Sequence, residues 1–120
     1  MANPFTTRGK VVLVPFPFDD LSTTKLRPAV CLTEPIGPNR HVVLAFITSR
    51  EIFDLLPTDI ALLTTHPSFR ATGLRVNSVL RLHRLITLST KIIQRVLGSF
   101  SLNLECEAAE KLSLLFSLKS

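Results

Sequence analysis

Apolar residues first occur in short runs suited to strands and, in the last quarter of the chain, at helical spacing. Gly9 precedes the β-prone run Val11-Val12-Leu13-Val14, which predicts a strand over 10–14. Phe16 and Phe18 follow, two apart between Pro15 and Pro17, so they project to one side of a segment that the prolines confine to an edge or strand exit. Residues 19–25 have no apolar period and read as a loop. A second strand is expected over 28–33 and a third over 41–48, joined by a turn holding Pro35, Gly37, Pro38 and Asn39, hence an antiparallel pair. After a loop over 49–57, a strand is expected over 59–63. An irregular stretch follows over 66–72, then a strand over 77–82 that continues or kinks through His83-Arg84 toward Leu88.

From Ser89 the period changes. Ile92, Ile93, Val96 and Leu97 predict a short helix, capped by Ser89 or Thr90 and ended by Gly98. Leu104, Ala108, Leu112 and Leu115 predict a longer one over 102–118, with Ser101 or Asn103 as N-cap and Glu105 and Glu107 near its positive end. With no repeat and no linker, residues 1–120 form one domain. Its expected fold is mainly β, a small barrel or curled antiparallel sheet with a C-terminal helix packed on it.

Composition narrows the function classes. At 46% hydrophobic and 19% charged residues the chain is an ordinary globular protein, and no apolar run approaches a membrane span. Val11 to Phe18 runs straight into Asp19-Asp20 with no signal-peptide cleavage pattern. Cys31 and Cys106 give neither a disulfide framework nor a metal cluster, and are expected to be buried or half-buried thiols in a cytoplasmic protein. Net charge is +5, and no acidic residue occurs between Asp59 and Glu105, where Arg70, Arg75, Arg81, Arg84, Lys91 and Arg95 fall. That field suits a polyanion or an acidic protein, and equally an unemployed basic surface.

Phosphate loops, nucleophile elbows and metal spacings are absent, and a chain without Trp or Tyr has few platforms for stacking bases. What remains lies at strand ends. Pro28 biases Arg27 toward an extended backbone at the mouth of the second strand, while Thr48 and Ser49 leave the third. If the two strands pair antiparallel, Arg27, Thr48 and Ser49 meet at one rim with Arg50 close by. A guanidinium fork with two hydroxyls is a cradle for a phosphate. The same residues also fit a plain strand cap with Arg27 paired to Asp19 or Asp20.

The segments Gly9-Lys10-Val11-Val12-Leu13-Val14-Pro15-Phe16-Pro17-Phe18-Asp19-Asp20, Lys25-Leu26-Arg27-Pro28-Ala29-Val30 and Ala45-Phe46-Ile47-Thr48-Ser49 closely resemble the PemK/MazF family, toxins of type II toxin–antitoxin pairs. Asn77-Ser78-Val79-Leu80-Arg81-Leu82, Leu85-Ile86-Thr87-Leu88 and Leu97-Gly98 extend the likeness over nearly the whole chain.

The resemblance implies an SH3-like barrel of the PemK/MazF/CcdB-like type, a homodimer, and a sequence-specific endoribonuclease acting on single-stranded RNA. It implies no metal and no cofactor: the 2′-hydroxyl attacks the adjacent phosphorus and leaves a cyclic phosphate. It also implies an acidic antitoxin as partner, with operator DNA contacted only through that complex. By motif, Arg27 and Thr48 carry the chemistry and Ser49 assists, while Lys25, Arg50, Arg81, His83 and Arg84 are candidates for binding RNA. Arg81 and Arg84 fit a solvated outer face equally well. Gyrase-poisoning toxins share the barrel, so a gyrase-targeting or non-catalytic nucleic-acid-binding toxin is the alternative.

Arginine stays protonated, so Arg27 suits charge stabilisation at the phosphorane rather than proton removal, a role worth roughly 3 to 4 kcal/mol of barrier. An unactivated threonine is no base either, which leaves Thr48 to hold a non-bridging oxygen or orient the 2′-hydroxyl. Some relatives carry a loop glutamate before the arginine, whereas here Leu21-Ser22-Thr23-Thr24-Lys25 has no carboxylate. The proton acceptor is thus unassigned. His83 is the one histidine of the basic half beside a strand, and it fits proton transfer or a structural place next to Leu82.

Overall fold

The computed structural model describes residues 7–16, 25–50 and 52–118. Six strands, β1 (Lys10–Phe16), β2 (Lys25–Cys31), β3 (His41–Thr48), β4 (Asp59–Leu62), β5 (Ser78–Ser89) and β6 (Arg95–Ser99), pair antiparallel in the order β4-β5-β3-β2-β1-β6. The sheet curls into a half barrel. A one-turn helix α1 (Phe69–Thr72) precedes β5, and α2 (Leu102–Leu115) closes the fold. The expectations for the loop before β2, for Phe18 and for Asp19 and Asp20 lie outside the described residues.

Strand alternation divides the core between two faces of the sheet. On one, Val11, Val30, Ala45, Ile47, Leu80 and Leu82 pack with Phe100, Leu104 and Ala108 under α2. On the other, Val12, Val14, Ala29, Cys31, Leu44 and Phe46 pack with Ile86, Leu88 and Ile93. β5 serves both faces because it is bulged. Its register jumps from Ala45↔Leu85 to Phe46↔Arg81, leaving Leu82, His83 and Arg84 between the two ladder segments. An odd number of extra residues reverses side-chain parity, so Leu80 and Leu82 face one core and Ile86 and Leu88 the other. The kink expected at His83-Arg84 is this bulge.

Three expected elements differ. β2 spans Lys25–Cys31 rather than 28–33, and so includes Lys25 and Arg27. The helix after Ser89 is only a 3-10 turn, Thr90–Ile92, followed by strand β6. Ser89 does cap it, accepting from the Lys91 N–H at 3.2 Å, but β1 recruits the next residues by pairing Val11 with Gly98 and Val12 with Val96. Tertiary pairing thus overrides a local helical period. Gly98 is there for close approach: a Cβ would come within 2.2 Å of the Ala71 carbonyl of α1. Residues 66–72, expected to be irregular, contain α1, ended by Gly73 at φ 78°. α2 begins as anticipated, with Ser101 Oγ accepting from the Leu104 N–H at 3.2 Å, although Cys106 on it is exposed rather than buried.

Candidate functional site

The site grows out of the way β2 divides its partners. Along its whole length β2 pairs with β1, down to Phe16↔Lys25, whereas its ladder to β3 runs only through Cys31↔Leu44, Val30↔Ala45 and Ala29↔Phe46. Pro28 comes next and has no N–H to give β3. From there Lys25, Leu26 and Arg27 are exposed, while Ala29, Val30 and Cys31 are buried. Two residues past Ala29↔Phe46, the same register sets Arg27 across from Thr48 on the face that carries Ala29 and Phe46. The strands stop bonding where these two side chains oppose one another, which leaves a mouth between them.

Thr48 is half-buried at the end of β3, opposite Val79 on its other side. Its Oγ1 accepts the Arg50 N–H at 3.0 Å, turning the chain outward. Capping and chemistry do not compete here, since the hydroxyl accepts through a lone pair and keeps its own proton to donate. Ser49 and Arg50 are exposed beside it. The fold therefore brings Lys25, Arg27, Thr48, Ser49 and Arg50 to one rim. His83 and Arg84, both exposed, project from the β5 bulge beside the Ala45–Phe46 step of β3.

Arg81 is not at the surface, and this corrects its expected place in an RNA groove or on a solvated outer face. It is 7% exposed and its Nη1 lies 2.5 Å from Asp59 Oδ2, across the β4–β5 ladder. Asp59 Oδ2 also accepts the Leu56 N–H at 2.7 Å, and Arg81 Nη1 reaches the Asp54 carbonyl at 3.5 Å. The pair holds down the loop that follows Arg50. In the sequence Asp59 reads only as a strand-opening acid. Its available signal is its position, the last carboxylate before a long basic stretch.

That loop also carries a residue that sequence reasoning misses. Phe53 is 95% exposed, although phenylalanines in this chain mostly read as core. The available signal is an aromatic in a segment without apolar period, next to Asp54.

Elsewhere little points to chemistry. His66 Nδ1 accepts the Ser68 N–H at 2.9 Å, a structural contact ahead of α1. Burial, with the Glu34 carboxylate nearby, pushes the Cys31 thiol up to about 11, making it a poor nucleophile. A recess of about 260 Å³ between α2 and the Cys31 end of β2 is lined mainly by apolar groups such as Val30, Phe100 and Ala108, at the far end of β2 from Arg27. Among the described residues no group of His, Cys, Asp and Glu could hold a metal ion, and no helix is long and apolar enough to cross a membrane.

Residues 7–116 match the model of the family described as PemK-like, MazF-like toxin of type II toxin–antitoxin system. No curated protein matches the sequence. Among solved structures, the fold is similar to the Mycobacterium tuberculosis toxin MazF-mt6, at TM-score 0.71 and 20% identity over 92% of this chain and 99% of that one. It is similar also to an endoribonuclease in complex with its cognate antitoxin from a mycobacterial species, at TM-score 0.67 and 16% identity over 96% and 98%. A MazE–MazF structure from Deinococcus radiodurans gives TM-score 0.66 and 19% identity over 98% and 100%. At these identities the likeness establishes the SH3-like, MazF-type fold.

Proposed function

This chain belongs to the PemK/MazF family of toxins from type II toxin–antitoxin systems, and we propose that it acts there as a metal-independent, sequence-specific endoribonuclease on single-stranded RNA. The observation that carries this reading is the opposition of Arg27 and Thr48 past the end of the β2–β3 ladder. A protein that only docked on another protein would have no use for a guanidinium and hydroxyls opposed at an open strand end.

In the reaction, the 2′-oxygen bonds to phosphorus as the P–O5′ bond breaks. The 2′-hydroxyl proton leaves to an acceptor and the departing 5′-oxygen gains one. Arg27 stabilises the extra negative charge on the phosphorane, and Thr48 donates its own proton to a non-bridging oxygen, with Ser49 adjacent. Lys25, Arg50, His83 and Arg84 bind the strand on either side. We retain the acidic antitoxin, the homodimer and the cytoplasm as parts of this proposal. The dimer is supported by the apolar residues that α2 and its end leave exposed, Leu114, Phe116 and Leu118. The structural relative bound to its cognate antitoxin supports the partner.

The test is incubation of the purified chain with long single-stranded RNA in EDTA, beside Arg27→Ala. Cuts at a recurring short sequence, reduced about a hundredfold or more in the variant, are expected. RNA left intact but bound would favour the non-catalytic or gyrase-targeting alternative.

A further inference from the structure

Phe53 is the most exposed of the large hydrophobic residues described, at 95%, and its loop is anchored rather than loose. The neighbouring Asp54 carbonyl lies 3.5 Å from Arg81 Nη1, and two residues further on Leu56 is bonded to Asp59 at both its N–H and its carbonyl. Asp59 and Arg81 are themselves buried. A phenyl ring held out in water by a buried ion pair beneath its own loop has an unfavourable hydration and no share in the core.

The location narrows what the ring meets. Residues opposed across antiparallel strands share a face, so Arg81, Phe46 and Asp59 lie on the same side of the sheet as Thr48 and Val79, and as Arg27. Because Asp54 sits on the Arg81 guanidinium, the loop folds back over that side. Phe53 is five residues from Thr48, a separation of no more than about 18 Å even for extended chain. Exposed polar groups occur at the rim its loop leaves, Ser49 and Arg50, and at the bulge next to the Arg81 position of β5, His83 and Arg84.

We propose that Phe53 is a stacking platform for an unpaired RNA base next to the phosphate held at Arg27 and Thr48, and so a determinant of which sequence is cut. Unpaired bases bind proteins chiefly by stacking on aromatic rings while cationic groups track the backbone. Among the described residues Phe53 is the exposed aromatic of the loop that begins at Arg50. Leu55 and Leu56, at 49% and 44%, widen the apolar tip without offering a second π-face. The inference rests on the ribonuclease reading.

Because the chain has no Trp or Tyr, Phe53→Trp introduces a sole fluorophore at the point in question. The probe is a 2′-O-methyl oligonucleotide, uncleavable, carrying the sequence that the unaltered protein cuts in EDTA. Stacking predicts that the emission of the introduced indole is quenched as the oligonucleotide saturates. Phe53→Ala and Phe53→Leu should both bind it about tenfold or more weakly and lose preference at one base of the cut site, with thermal midpoints unchanged. Full binding and preference in both variants, with emission unmoved at saturation, overturns the platform while cleavage keeps the ribonuclease reading intact. Full activity in Phe53→Leu alone reduces the contact to apolar bulk and overturns it too, as does emission that responds to an acidic antitoxin peptide and not to RNA. RNA neither cut nor bound by the unaltered protein removes both.

Discussion

Thr48 holds the backbone at the end of β3 and, in the proposed reaction, also donates to the phosphate. Its oxygen accepts the Arg50 N–H, and accepting through a lone pair leaves its proton able to donate. Thr48→Ser keeps both functions and should retain most cleavage. Thr48→Val loses both and should cost about a hundredfold in kcat, with the thermal midpoint moving by only a few degrees. Single-turnover cleavage and a melting curve on each variant check this. His83→Gln addresses the missing proton acceptor. If His83 takes the 2′-hydroxyl proton, the variant loses about a hundredfold or more in single-turnover cleavage while its affinity for uncleavable RNA is kept. Cleavage and affinity that fall together, or not at all, rule His83 out as the proton acceptor. The two cysteines should separate as well. The exposed Cys106 reacts at once with a thiol reagent near pH 8, while buried Cys31, pushed up to about 11, reacts only on unfolding. Because the Cys31 value is raised on folding from its ordinary 9.0, its contribution to stability is complete below pH 9 and is lost as pH rises toward 11.

At the scale of elements, how legible each piece is depends on what fixes it. β3 can be read residue for residue, since its apolar run and the turn before it are local facts. α2 is legible from its period and from Ser101. β6 is not, because Val96 and Leu97 belong to a strand only through β1, about eighty residues earlier in the chain. Arg27 and Thr48 can be placed from sequence because register propagates along an antiparallel pair. Arg81 and Phe53 cannot, because their positions depend on one buried contact, Arg81 with Asp59. That pair makes an element-scale prediction. Asp59→Ala strands a buried guanidinium and frees the Phe53 loop, and should cost about 3 to 5 kcal/mol, read by denaturant unfolding. The double variant Asp59→Ala/Arg81→Met removes the stranded charge and should recover part of that loss. If the double variant is no better than the single, the cost lies in the loop rather than in the charge.

For the whole molecule, the field matters more than any pair. Arg70, Arg75, Arg84, Lys91 and Arg95 are exposed along a stretch with no acidic residue, whereas Arg81 is neutralised inside by Asp59. RNA binding should therefore weaken steeply with salt, with log affinity falling linearly against log salt at a slope of about 0.7 per phosphate neutralised on a single strand. An affinity indifferent to salt between about 50 and 300 mM, read by anisotropy, would contradict this account.

The sheet order also has a bearing on how the chain is made. β1 lies next to last in the sheet, and its outer edge is closed only by β6, which is synthesised near the end of the chain. At about 5 to 20 residues per second, the roughly eighty residues between them take about 4 to 16 s to emerge. During that interval β2 and β3 can already oppose Arg27 and Thr48, while β1 presents an unpaired, Val-rich edge to other chains. The nascent protein is thus exposed to strand-on-strand association for seconds before its own last strand arrives, and a message broken ahead of the codon for Arg95 would yield a chain that never leaves that state.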